Sequence, residues 1–243
     1  MTETVDVLAI GSHPDDVELS CGGTLARLAG AGRRVGILVL TRGEAGTRGS
    51  LEERRAEAEA AAEVLGAVSL DFLDCGDGAL RAGLAEEEAL IERLRHRRPE
   101  LVFAPPHADR HPDHRRAHLL VEAACFYSGL ARRGSGEPHR PAAVFSYMQN
   151  DPFEPAFIVD ISQTWAIKER ALDCYRSQLH QPKQETGREE PATKVSSREF
   201  RLAMEGRARH YGILIGCEFG EPFASRLPLA VSDPWSLLPP GLR

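Results

Sequence analysis

Several large functional classes are excluded by what this sequence lacks. No apolar stretch approaches the ~20 residues of a membrane-spanning helix. The N-terminal run MTETVDVLAIG carries neither the positive n-region nor the small-residue cleavage site of a secretory leader. A basic excess is also missing: 30 Lys+Arg stand against 36 Asp+Glu, a formal net charge of −6, which argues against nucleic acid as a partner. The five cysteines (Cys21, Cys75, Cys125, Cys174, Cys217) are scattered and form no C-x-x-C pair. They read as reduced, mostly buried thiols of a cytoplasmic protein rather than a disulfide framework. No G-x-G-x-x-G follows any strand, so the loop that cradles pyrophosphate in dinucleotide-binding folds is absent. Nor is there a G-x-S-x-G elbow for a serine hydrolase.

What is present is an ordinary globular composition spread over 243 residues. A chain of this length buries roughly 70–75% of its unfolded surface and folds without a disulfide or structural metal. It reads as a single domain, 1–243. Short apolar runs alternate with helical spacing: VDVLAIGS (5–12), VGILVLT (35–41), SLDFL (69–73) and LVFAP (101–105) are strands separated by helices. Ser50 followed by Glu53 marks the start of the second helix as a capping box. Helices are also expected from about Asp113 to Leu130 and near 164–178 and 198–212, with strands at AVFSYM and FIVDIS. Alternation of this kind implies parallel β-α-β units, and so an α/β, Rossmann-like, mostly parallel sheet flanked by helices. The polar, periodless stretch 180–197 reads as a long loop. The proline-rich tail from 221 reads as an extended arm.

The first loop, in 10-IGSHPDDVE-18, carries a histidine and two aspartates where nucleotide-binding folds place glycines. A second polar knot, 107-HADRHPDHRRAH-118, follows the fourth strand. In a doubly wound sheet strands one and four are neighbours, and the crevice at their C-terminal ends is the usual ligand site. His13 and His114, 101 residues apart in sequence, should therefore face each other. Zinc takes imidazole nitrogen and carboxylate oxygen, and a catalytic site leaves one position open. His13, Asp16 and His114 make up such a set, which also suits iron(II). Asp15 is then left to act as general base toward the attacking water. His111 is placed to hydrogen-bond an oxyanion or to protonate a leaving amine, with Asp113 fixing its tautomer. Arg54 falls on the sheet-facing stripe of the second helix, in its first turn, and is the candidate for gripping an anionic substrate; Arg55 is nearly as well placed.

Each of these residues also has a plainer explanation: His13 as a loop histidine, Asp16 or Asp113 as a helix N-cap, Arg54 as a surface arginine paired with a glutamate. Jointly, H-P-D-D and H-P-D-H at the ends of two neighbouring strands favour the metal site. HRRAH (114–118) has zincin spacing but an arginine where the catalytic glutamate belongs. His118 is therefore read as packed or surface, His107 as a loop residue, and Gly22-Gly23 as a close-packing pair.

At this point the motifs resemble the LmbE-like, or PIG-L, family of zinc-dependent N-deacetylases acting on N-acetylglucosamine derivatives. The resemblance is carried by SHPDDVELSCGGTLA, LTRGEAGTRGS with EERRAEA, FAPPHADRHPDH, YRSQL (175–179), SSREF (196–200) and ARHYGILIGCEFGEPF (208–223). It implies His13, Asp16 and His114 as zinc ligands, Asp15 as base, His111 backed by Asp113 at the tetrahedral intermediate, and Arg54 as a substrate contact. Ser12 and Val17 depart from the general A-H-P-D-D-E pattern, and the D-D-V-E form is similar to the bacillithiol-biosynthesis branch. That branch implies deacetylation of N-acetylglucosaminyl malate, and the family implies a homo-oligomer, trimer or hexamer. A bacillithiol-conjugate amidase and a chitooligosaccharide deacetylase keep the chemistry with another substrate. A non-catalytic Rossmann-like binding module is the alternative from a different class.

Elemental analysis separates these classes. Protein purified without added metal is expected to carry about one transition-metal ion per chain, whereas a metal-free preparation favours the binding module.

Overall fold

A computed structural model of the chain describes residues 4–180 and 191–238. In chain order the elements are β1 (Val7–Gly11), α1 (Asp16–Gly30), β2 (Val35–Val39), α2 (Leu51–Leu65), β3 (Ser69–Phe72), α3 (Leu84–Arg97), β4 (Leu101–Ala104), α4 (Pro112–Tyr127), β5 (Ala143–Tyr147), β6 (Phe157–Asp160), α5 (Trp165–Asp173), α6 (Arg198–Leu214) and β7 (Gly220–Ser225). The strands form one seven-stranded sheet in the order β3-β2-β1-β4-β5-β7-β6. From β3 to β5 every pairing is parallel, and β7 runs antiparallel to both its neighbours. This is the expected α/β fold with helices on both faces. Among the described residues no helix is long and apolar enough to cross a membrane.

The central strands read as near-continuous apolar runs because they are covered on both sides. In β1, Val7 and Ala9 join a core with α1, α2, α5 and α6. Leu8 and Ile10 join a second core with α3 and α4. The period-two alternation of a strand thus divides one run of residues between two hydrophobic layers. Ser50 forms the expected capping box: its hydroxyl accepts from Glu53 N–H and the Glu53 carboxylate accepts from Ser50 N–H, both at 3.1 Å.

Placement of the site follows from the crossovers. β1 leads through α1 to β2 and onward to β3, and the chain then returns to lay β4 on the other side of β1, with Val7 opposite Leu101 and Ala9 opposite Phe103. Both strands run the same way, so the loops that follow them emerge at one sheet edge, on either side of the reversal point.

The tail corrects the expectation of an arm beginning at 221. Residues Gly220–Ser225 are instead an interior strand. Pro222 concealed it, since proline removes a ladder donor. Pro222 pairs with Ile158 of β6 and lies one residue beyond Tyr147–Phe223, where the pairing with β5 ends. The expected helix near 164–178 ends at Asp173. The proposed loop 180–197 falls partly outside the described residues.

β7 also supports α1. Helix α1 breaks at Cys21, where φ is −134°, so the N–H groups that follow need partners. Glu221 supplies them. Its carboxylate accepts from Gly23 N–H at 3.0 Å, Thr24 N–H at 2.7 Å and the Thr24 hydroxyl at 2.6 Å. Lys168, as deeply buried as Glu221, donates to that carboxylate at 2.6 Å and to the Leu19 carbonyl at 3.0 Å. A Cβ on Gly23 would meet Ile161 at 2.8 Å, in line with a packing role for this glycine rather than contact with phosphate. Removing one partner of a buried pair strands the other's charge. Lys168→Ala is expected to lower stability by ~3–5 kcal/mol in urea unfolding. A loss under ~1 kcal/mol would show that the pair is dispensable.

Candidate metal centre and catalytic cavity

The turn between β1 and α1 is set by Asp15, whose φ of 101° is rare for a side-chain-bearing residue. Asp16 follows and folds its carboxylate back over the turn. Its Oδ2 accepts from Ser12 N–H at 3.1 Å and His13 N–H at 2.9 Å. The same oxygen lies 3.3 Å from His13 Nδ1 and 3.4 Å from His114 Nε2. His114 reaches it from the first turn of α4, across the β1–β4 crevice. The two knots therefore meet, as the strand order requires.

The far nitrogens of both histidines rest on carboxylates. His114 Nδ1 is 3.0 Å from Asp109 Oδ1. His13 Nε2 is 3.2 Å from Asp77 Oδ1 and 3.3 Å from Asp113 Oδ2. A carboxylate only accepts, so with a cation on the inner side each imidazole would keep its proton on that outer nitrogen and turn a lone pair inward. The inner atoms are therefore His13 Nδ1, His114 Nε2 and Asp16 Oδ2. Zinc–ligand bonds of ~2.0–2.1 Å in a tetrahedron give donor separations of about 3.3–3.4 Å. The two separations to Asp16 match that edge, and the donor chemistry fits a divalent metal. His111 is also close: its ring stacks on His114 at 4.7 Å, and His13, His111 and His114 bring one donor each within 4.8 Å of the others. His13, Asp77 and Asp113 form a second such group, sharing His13.

The titration shifts describe a strongly polarised pocket. Burial opposes ionisation of Asp16, yet His114 and His13 hold its carboxyl well below the usual range. Burial lowers His114, but Asp16 and Asp109 outweigh it and raise it to about 9. Protons thus occupy imidazoles beside a carboxylate, and a divalent cation would displace them. Asp15 is pushed up to about 7 by burial, against the pull of Arg54; a cation between His13 and His114 would act in the same sense as Arg54. His111 is lowered by burial and by the charges of His13 and His114.

These groups line a cavity of about 510 Å³ that also takes in Arg54, Arg110, Gln149, Lys194 and Arg207. Two sequence expectations are corrected here. Asp113 stands behind His13, not behind His111; its contact with His111 is its own backbone N–H, which donates to His111 Nδ1 at 3.3 Å. The cause is the helix start. His111 is the N-cap of α4, which turns the Asp113 side chain toward β1. Arg54 is not a rim cation either. It is buried, donating from Nη1 to the Gly43 carbonyl at 2.8 Å and from Nη2 to the Pro14 carbonyl at 3.1 Å. It ties the β2–α2 loop to the catalytic turn, and a Cβ on Gly43 would collide with its guanidinium. Arg55 is exposed and pairs with Glu59 at 2.8 Å. As expected, His118 is packed, 3.0 Å from the Pro105 carbonyl, and His107 is an exposed loop residue.

Four contributors escaped the sequence reading. Asp77 closes the loop after β3. Asp109 accepts from the backbone of His111 and Asn150 as well as facing His114. Gln149 donates its amide to Asp16 Oδ1, and Asn150 donates its amide to Asp109 at 3.0 Å. Asp109 was detectable, as a carboxylate two residues before His111 in the same knot. Gln149 carries no sequence signal.

Carboxylates behind metal-binding imidazoles are worth about 10–100-fold in metal affinity. Asp109→Ala is expected to weaken retention of a divalent metal by about that factor in competition with a chelator, and wild-type retention would remove Asp109 from the support of His114.

Residues 8–125 match the family described as PIG-L: GlcNAc-PI de-N-acetylase. The diacetylchitobiose deacetylase of Thermococcus kodakarensis is 34% identical over 190 residues, covering 71% of this chain and 70% of that protein. A conserved protein of Thermus thermophilus superposes with a TM-score of 0.86 at 39% identity, covering 96% of this chain and 99% of that one. The N,N'-diacetylchitobiose deacetylase of Pyrococcus horikoshii, solved with an inhibitor, gives 0.78 at 27% identity, covering 91% and 83%. Fold, converging motifs and relatives agree, and the chain belongs to the PIG-L, or LmbE-like, family of deacetylases.

Proposed function

We propose that this protein is a metal-dependent hydrolase that removes the acetyl group from a 2-acetamido sugar, with N-acetylglucosaminyl malate as substrate and bacillithiol biosynthesis as its setting. The observation that carries the deacetylase reading is the meeting of His13 and His114 on one oxygen of Asp16, at 3.3 and 3.4 Å, with Asp15 beside them in the same cavity. The malate aglycone is supported by the D-D-V-E form of the first motif.

His13, Asp16 and His114 would hold the metal, zinc or iron(II), which when bound polarises the amide carbonyl and makes water a better acid. The rest of the chemistry belongs to the chain. Asp15, held inward by its unusual φ, accepts the proton of the attacking water as the new C–O bond forms. His111 takes Asp113 N–H at Nδ1, which leaves its own proton on Nε2 as a donor to the oxyanion. When the C–N bond breaks, the proton held by Asp15 passes to the sugar nitrogen. Acetate and an amino sugar are the products.

The five cysteines are free thiols, which suits a reducing cytoplasm. A homo-oligomer, trimer or hexamer, is the assembly we assign on family resemblance.

In Asp15→Ala, zinc content is expected to survive while acetate release falls by about 10²–10⁴-fold. Full activity would remove Asp15 from the mechanism, and loss of zinc would make it a ligand. Acetate release from the malate glycoside, a chitooligosaccharide and a bacillithiol conjugate ranks the substrates.

A further inference from the structure

The break in α1 leaves a carbonyl to be satisfied. In an unbroken helix Gly23 N–H would donate to the Leu19 carbonyl four residues back, but here it donates to Glu221 at 3.0 Å. The Leu19 oxygen is met by two cations, Lys168 Nζ at 3.0 Å and Arg207 Nη2 at 3.3 Å. Lys168 divides itself between that carbonyl and Glu221. Arg207, from α6, has a second branch to place, and its Nη1 donates to the backbone carbonyl of Gln149.

Gln149 lies just beyond β5 and is buried. Its side-chain amide faces Asp16 Oδ1. A carboxylate only accepts, so the group turned to Asp16 is the NH2 and not the carbonyl. One guanidinium therefore grips the backbone of the residue whose side chain holds the outer oxygen of Asp16. Its other branch grips the end of the helical segment that Asp16 begins. A planar guanidinium presents its N–H groups in fixed directions, where an ammonium is a point charge. That fork suits a tie between two carbonyls on separate elements.

The consequence falls on Asp16. A carboxylate can ligate a metal through one oxygen or through both. Oδ2 is the oxygen that faces His13 and His114, at 3.3 and 3.4 Å, and the Gln149 amide occupies Oδ1. A hydrolytic site keeps a position open for water and substrate, and a second carboxylate oxygen would fill it.

We propose that Arg207 is a positioning residue: by fixing Gln149 it confines Asp16 to ligation through one oxygen and so keeps a coordination position open. This rests on the reading of His13, Asp16 and His114 as metal ligands.

The test uses the full chain loaded with cobalt(II), whose visible bands are intense in four-coordinate sites and weak at higher coordination. In Gln149→Met, which keeps the volume and drops the donor, and in Arg207→Ala, the bands should weaken as Oδ1 joins the ion. In both, kcat for acetate release should fall by about 10–100-fold, with KM within about threefold of wild type. The double variant should lose no more than the worse single one, since the two residues act in series. Arg207→Lys, still cationic but without the fork, should fall between wild type and Gln149→Met; it also stands in should the alanine variant fail to fold. A merely structural arginine would lower stability in urea and leave the spectrum alone. Bands of wild-type intensity in Gln149→Met, or in every folded Arg207 variant, overturn the proposal, as do weakened bands with wild-type kcat. Wild-type protein that takes up no cobalt sinks the metal centre itself.

Discussion

Everything at the site is arranged around one carboxylate. Asp16 Oδ2 is fixed from behind by two backbone N–H groups and faces two imidazoles that arrive from opposite sides of a strand crossover. A buried charge so placed is costly unless it is compensated. The compensation available here is cationic: protons on His13 and His114, or a metal ion in their place. The remaining polar groups answer to that demand. Asp77, Asp109 and Asp113 orient the imidazoles, and Gln149 occupies the second oxygen of Asp16. With Oδ1 engaged, Oδ2 alone is turned to the histidines.

The scaffold supports this at a distance. β1 and β4 deliver the two knots in register, and the break in α1 separates the catalytic first turn from the rest of the helix. That break is stable because β7, the last strand in sequence, reaches back with Glu221 to cap it, and Lys168 neutralises the cap. The C-terminal fifth of the chain is thus part of what holds the N-terminal catalytic turn. The site is local in space and dispersed in sequence.

This dispersal explains what was legible. H-P-D-D and H-P-D-H stood out because short motifs at the ends of parallel strands are brought together by a topology that the strand–helix alternation already implies. Strands β1, β2 and β4 were legible as near-continuous apolar runs, covered on both faces. β7 was not, since Pro222 mimics a strand breaker and only the ended β5 ladder makes it harmless. Asp77 and Gln149 were not, because a single polar residue in a loop says nothing of which imidazole or carboxylate it will meet. Arg54 was placed on the correct face of α2 and lines the cavity, but its bonds to the Gly43 and Pro14 carbonyls were not foreseen. Periodicity tells which way a side chain points, not whether backbone carbonyls await it there.

The backbone at residue 15 has a consequence for how this protein tolerates change. Positive φ suits glycine, and a residue with a Cβ there typically costs of order 1–3 kcal/mol. A search for sturdier variants would therefore be drawn to glycine at this turn, relaxing the chain and discarding the proposed base in one step. At position 15 robustness and chemistry pull in opposite directions. With an aspartate at φ 101°, the turn carries backbone strain for the sake of the side chain that the proposed reaction uses.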